Sequence, residues 1–117
     1  MDLKEQMIRK LLFDLTINSS AKGYFCVLES LIALEKDEQL LSYISKGLYV
    51  DVAFTLDTTV ACVERNIRSV KEKAWKRRRN HFVFEGLEEI PTNGEFLSRM
   101  MYQLQLWENE YRKSLRF

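Results

Sequence analysis

Glu64 and Arg65 stand side by side at the start of the chain's most charged segment, and both side chains can read nucleobases. An Arg guanidinium can donate two parallel hydrogen bonds to guanine O6 and N7, and a carboxylate can accept one from cytosine N4. From Glu64 to Arg79 there are eight basic residues (Arg65, Arg68, Lys71, Lys73, Lys76, Arg77, Arg78 and Arg79) against two acidic ones, Glu64 and Glu72. The segment therefore carries +6, and because the whole chain is +1 the remainder carries −5. A single basic element on a mildly acidic body suits docking onto a polyanion in one orientation. Basic residues in a last helical turn are also favoured by the helix dipole. Charge alone thus leaves DNA docking and a solvated helix end about equal.

Other chemistry has little to work with. Cys26, Cys62 and His81 are the only thiols and the only imidazole. Neither cysteine belongs to a CxxC or Cys/His cluster of the kind that holds structural zinc, so no metal or cofactor is expected. Cys26 reads as a small buried hydrophobe. No acid/base, metal or phosphate-loop constellation points to an enzyme, so no catalytic residue is assigned.

The elements that position these residues are helical. The chain has 117 residues, of which 46% are hydrophobic, enough for one core. Only four residues are Gly and one is Pro, and long β-branched alternation is absent. Asp2 with Glu5 starts a first helix, on which Leu3, Met7, Ile8, Leu11, Leu12 and Leu15 recur at helical spacing. Asn18-Ser19-Ser20 breaks it. Tyr24, Leu28, Leu31 and Ile32 mark a second helix, ending in the charged turn Glu35 to Glu38. Leu41, Ile44, Leu48, Val52 and Ala53 mark a third helical region, either continuous or broken near Gly47 to Val50.

After the polar turn Leu56-Asp57-Thr58, Thr59 is an N-cap for a helix over about 60–76. Val63, Ile67, Val70 and Ala74 lie at i, i+4, i+7 and i+11, on one face. Ala61, Arg65, Arg68 and Glu72 lie opposite, with Cys62 and Ser69 on one flank and Glu64 and Lys71 on the other. The segment from His81 to Ile90 is a short strand or a loop that packs its aromatics. Thr92 and Glu95 have capping-box spacing before a last helix striped with Phe96, Leu97, Met100, Met101, Leu104, Trp107 and Tyr111.

Two helices joined by a short turn, the second basic on its outer face, form the helix-turn-helix arrangement. The expectation is an all-α compact bundle of about six helices, one domain over residues 1–117, with the helix-turn-helix at about 44–78. Base contacts are expected from the early positions, phosphate contacts further along. No stretch is apolar for long enough to span a bilayer, and no signal-peptide pattern opens the chain. A cytoplasmic protein is expected.

An ordered set of short matches then narrows the reading. Lys22-Gly23-Tyr24, Lys46, Leu48-Tyr49, Asp51, Ala53, Thr58-Thr59, Val63-Glu64-Arg65, Ile67-Arg68, Ala74-Trp75, Pro91-Thr92-Asn93 and Glu95-Phe96 occur in that order. In this the sequence resembles the C-terminal DNA-binding effector domain of the master sporulation response regulator, the stage zero sporulation protein A family, over roughly Leu11 to Leu106. The resemblance implies a six-helix transcription factor that binds a short asymmetric box, often as tandem head-to-tail copies. It implies base-contacting positions at Ala61, Cys62, Glu64 and Arg65, with Arg68 supporting DNA contact. Phosphate contacts are expected from Thr59, Arg68, Ser69, Lys71, Lys73, Lys76, Arg77, Arg78 and Arg79.

There are departures from the family pattern. Cys62 stands where the family usually has a base-contacting Arg, Ala61 replaces Ser, Ser69 replaces His, and Val50 replaces a Pro. The Arg-to-Cys change removes about 1–3 kcal/mol of discrimination at one base pair. The stretch between Trp75 and Pro91 is shorter than the family norm and more basic at its start. The family's domain follows a phosphorylatable receiver. None precedes the first helix here, so the expectation is a stand-alone paralogue or a domain cut from a longer protein. The leading expectation is a sequence-specific regulator of double-stranded DNA, with tandem self-association, RNA polymerase or a full-length relative as further partners and no membrane. The alternative is a degenerate helix-turn-helix module acting through protein–protein contacts, as adaptor or antagonist of a full-length relative, for instance through Met100, Met101, Leu104 and Trp107.

Overall fold

A computed structural model describes residues 2–116, and every regular element among them is helical. There are five α-helices: α1 (Leu3–Asp14), α2 (Gly23–Lys36), α3 (Tyr49–Thr55), α4 (Val60–Arg77) and α5 (Asn93–Ser114). The expected count of about six falls to five because the chain before α3 does not settle into one α-helix. It forms a tight 3-10 segment, Glu38–Tyr43, followed by a wide π-helical turn, Ile44–Leu48. Asp37 accepts a hydrogen bond from Gln39 N at 3.1 Å and starts the 3-10 segment. Tyr43, at φ −134° and ψ 53°, leaves helical geometry between the two.

The central element is α2, whose residues Tyr24, Cys26, Val27, Leu28, Leu31 and Leu34 are all buried. The other four α-helices pack around it. One contiguous core joins Leu11, Leu12 and Leu15 of the α1 region to Val52 of α3, Ile67 of α4 and Phe96, Leu97 and Met100 of α5. Met100 is fully buried and Leu104 nearly so, so the last helix uses most of its apolar stripe on its own core. Met101 and Trp107 are half-buried against it, and Lys10 of α1 lies 4.4 Å over the Trp107 ring.

Two helix ends share one termination. After α1, Thr16 takes a left-handed conformation (φ 59°), while the amides of Thr16 and Ile17 return to the carbonyls of Phe13 and Leu12, both at 2.9 Å. After α3, Asp57 does the same (φ 53°), with Asp57 N to Phe54 O at 3.3 Å and Thr58 N to Ala53 O at 2.9 Å. Both are Schellman closures, built without the usual glycine. The second fixes the direction in which the chain leaves α3, and Thr59 begins α4 two residues later.

The segment from His81 to Ile90 forms a 3-10 turn, Phe82–Phe84, and is not a strand. Val83 and Phe84 point into the core. The Phe84 ring stacks on Phe96 at 5.8 Å and meets Trp75 edge-on at 5.2 Å. Arg99 of α5 ties the segment down by donating to the carbonyls of Val83 and Glu85, each at 3.0 Å.

Candidate nucleic-acid interface

The basic segment is carried by α4, whose start is set by Thr59. Its hydroxyl accepts from Cys62 N at 3.1 Å, satisfying one of the amides that a helix leaves unpaired at its first turn. Val63, Ile67, Val70 and Ala74 are buried, as their spacing requires. Ala61, Arg65, Arg68, Ser69, Glu72, Lys73, Lys76 and Arg77 are exposed on the other side. The result is an 18-residue helix, seated by small and branched apolar residues, that presents arginines and lysines outward.

The depth of that seat depends on Gly23. A Cβ there would stand 2.4 Å from the Asn66 carbonyl oxygen and 2.2 Å from Val70 Cγ2, so only a glycine lets α2 approach α4 this closely. The side chain of the same Asn66 links the two helices. Its side-chain amide donates to Cys62 Sγ at 3.4 Å and reaches Cys26 Sγ at 3.9 Å. Burial pushes the Cys26 thiol up, partly offset by Asn66. The Cys62 thiol is held below its ordinary value, chiefly by the Thr58 hydroxyl and, against an opposing effect of burial, by Arg65 and Asn66. Asparagine is a poor residue for a helix interior, and this was the available signal for a tertiary role.

Glu64 is half-buried and already engaged. Its carboxylate pairs with Arg68 at 2.8 Å, one turn along the same face. Its backbone carbonyl accepts from Asn93 Nδ2 at 3.2 Å, and the same amide donates to the Tyr49 hydroxyl at 3.0 Å. Asn93 therefore fastens the start of α5 to the second turn of α4 and the start of α3. Burial raises the Tyr49 pKa, with Asn93 opposing. Asn93 occurs in the Pro91-Thr92-Asn93 match, but its role as a three-helix fastener is visible only in the fold.

Two expected phosphate contacts stand differently from the sequence reading. Lys71 is not presented on the surface: it is 6% exposed, because the start of α5 and the turn before α3 close over its flank of α4. Burial lowers its pKa, with Glu72 opposing. Arg79 is exposed but occupied. Its guanidinium lies 4.6 Å over the Trp75 ring and donates to the Glu88 carbonyl at 2.9 Å, holding the loop after α4. Trp75 is half-buried between Arg79 and Phe84. Arg78 ends α4, its amide reaching Ala74 O at 2.7 Å, and its side chain is exposed.

His81 lies just beyond the basic run and is buried. Its Nδ1 accepts from Val83 N at 3.1 Å, which puts the ring proton on Nε2, and Nε2 is buried without a partner among the described residues. Burial pushes its pKa below the ordinary 6.5, with Asp14 opposing.

The described residues contain no group of three or more His, Cys, Asp or Glu able to hold a metal ion, and no helix long and apolar enough to cross a membrane. Residues 8–104 match the family model described as sporulation initiation factor Spo0A C terminal.

Proposed function

The chain belongs to the sporulation initiation factor Spo0A C-terminal family, and from that premise we propose that it is a sequence-specific regulator that binds double-stranded DNA through α4. The family's domain is a DNA-binding regulatory domain and not a catalytic one. In this reading the turns before α3, α3 itself, the Asp57 turn and α4 act as a helix-turn-helix over about residues 44–78, within a single domain. A cytoplasmic location, tandem copies on DNA, and contact with RNA polymerase or a full-length relative belong to the same reading.

The observation that carries it is the outward face of α4. Arg65, Arg68, Lys73 and Lys76 are exposed along one capped helix while its other face is locked in the core. Arg65 reads a base edge from the early part of the helix, and Ala61 and Cys62 sit beside it at the groove floor. Glu64 joins the readout when Arg68 exchanges its carboxylate for a phosphate. Thr59, Ser69, Lys73, Lys76, Arg77 and Arg78 fall to the backbone of the duplex. Protein–protein contact as the main business is not favoured: of the four α5 residues named for it, Met100 and Leu104 are spent on the core and Met101 and Trp107 are half-buried against it.

The test is binding to a family-type box and to a scrambled duplex across a range of salt. Arg65→Ala is expected to bring the two affinities together, and Lys76→Ala to weaken both equally and reduce the salt slope by about 0.9. Equal losses from both variants on every duplex would contradict these roles. Absence of binding to either duplex at low salt would end the DNA reading.

A further inference from the structure

Beside the outward face of α4 lies an open recess of about 480 Å³, walled by Arg68 and Lys71 of α4, Asn93 and Gly94 of α5, and Ser45 of the π-helical turn. Lys71 is the unusual member. It is more than nine-tenths buried, yet it makes no hydrogen bond or ion pair with any described residue. Its stem is covered by its neighbours while its ammonium keeps access to the recess. Three carboxylates act on it from nearby without bonding to it: Glu72, the next residue along α4, Glu64, which pairs with Arg68 at 2.8 Å, and Glu95, which accepts from the Thr92 hydroxyl at 3.2 Å.

The opposite wall adds a second source of positive potential. With 22 residues, α5 is the longest helix described, and its N-terminus opens at the recess. Thr92 takes the amides of Glu95 (through its hydroxyl, 3.1 Å) and Phe96 (through its carbonyl, 2.9 Å). The amides of Asn93 and Gly94 precede these at the positive end of the helix, where anions are favoured. Gly94 also keeps the site narrow, since a Cβ there would meet Ile44 Cδ1 at 2.6 Å.

We infer that this recess is a phosphate site, in which Lys71, with Arg68 and the first turn of α5, holds the oxygens of one tetrahedral phosphate. The inference rests on the DNA reading above and deepens it. Glu64, Arg68 and Lys71 lie at i, i+4 and i+7, along a stripe next to Arg65. A phosphate seated here is therefore a backbone phosphate next to the base edge that Arg65 reads. The start of α5 thereby becomes a second contact with the duplex, fixing the angle of α4 in the groove. Arg68 moving from Glu64 to that phosphate frees the Glu64 carboxylate, so seating the backbone and releasing a base reader are one event.

A free phosphate has the same chemistry, so the experiment has two arms. Wild type, Lys71→Met and Lys71→Arg are compared for binding to specific and scrambled duplexes across salt, and for thermal unfolding in inorganic phosphate against chloride at equal ionic strength. The expected result is that Lys71→Met lowers the salt slope by about 0.9 on both duplexes, while Lys71→Arg keeps it. A slope unchanged in Lys71→Met overturns the duplex assignment. If that variant at the same time loses a phosphate-dependent rise in melting temperature that the wild type shows, the site takes free phosphate and not DNA. Wild-type NMR is independent of how the variants fold: the Asn93 and Gly94 amides are expected to shift on adding duplex. Amides unmoved by both duplex and phosphate overturn the site. A wild type that binds no duplex at low salt, but whose Asn93 and Gly94 amides shift with phosphate, removes the DNA reading and leaves the phosphate site standing.

Discussion

Replacing Gly23 with alanine adds one methyl group at the point where α2 and α4 come closest. The new Cβ would stand 2.4 Å from the Asn66 carbonyl oxygen, about 1 Å short of ordinary contact, which begins near 3.4 Å. Val70 Cγ2, at 2.2 Å, can turn aside, but the Asn66 carbonyl is helix backbone and cannot. The helices must therefore part by about 1 Å or the start of α2 must unwind. Overpacking of this kind costs about 1–3 kcal/mol, and the better helix propensity of alanine offsets less than about 1 kcal/mol in a first turn. For a chain of this size each kcal/mol moves the melting temperature by about 4 °C, so a fall of about 4–12 °C is expected by calorimetry or circular dichroism. DNA affinity should fall with it, because the displaced element is the one that carries Arg65 and Arg68. Gly86→Ala is the control. It sits at φ +79° with no atom within 4 Å of a new Cβ, so it carries backbone strain of about 1 kcal/mol and leaves α4 where it is. A Gly23→Ala protein that melts at or above the wild-type temperature would refute the reasoning, since the close approach would then not be a structural constraint.

Other outcomes follow from particular groups. Thr16 is a β-branched residue in the left-handed region, so Thr16→Gly should raise stability by about 1 kcal/mol despite the added chain entropy of glycine, read from denaturant midpoints. Thr59→Ala removes the cap on Cys62 N and should cost about 1 kcal/mol, with the loss of helical protection in hydrogen exchange confined to the first turn of α4. His81 has a folded pKa below the ordinary 6.5, so the unfolded chain binds more protons as pH falls. Its stabilising contribution is complete above about pH 6.5 and is lost as pH drops through the lowered folded value. Melting temperatures should therefore fall between pH 7.5 and 5.5 more steeply in wild type than in His81→Asn, whose side chain can still accept from Val83 N; equal slopes would exclude His81 as the cause. The exposed Glu64–Arg68 pair should couple by only about 0.3–0.5 kcal/mol in a double-mutant cycle on folding, weak enough for DNA to open it.

Local periodicity was enough to read the helices that pack by one stripe. The inward face of α4, the Thr59 and Thr92 caps and the apolar face of α5 were all legible, because an i, i+4, i+7 pattern and a capping residue are local properties and the structure realises them unchanged. The stretch from Leu41 to Ala53 was less so. Its apolar spacing suits a helix, but the 3-10, π and α geometries that share this spacing differ by hydrogen-bond register, and packing against α2 and α4 selects among them.

The basic helix shows the same division. Sequence alone determined that it exists, which residues face inward, and that the surplus positive charge of the chain sits on it, since each of these follows from residue type and a fixed angle per residue. Only the tertiary structure decided which of the basic residues are free. In the sequence Lys71, on a flank of the helix, and Arg79 read as phosphate contacts just as Lys73 and Lys76 do. The first is covered by the start of α5, and the second is held on Trp75 and the Glu88 carbonyl. The physical reason is that a flank position on a helix is exposed or buried according to what a distant segment places beside it. Here that segment begins at Asn93, some twenty residues further along the chain.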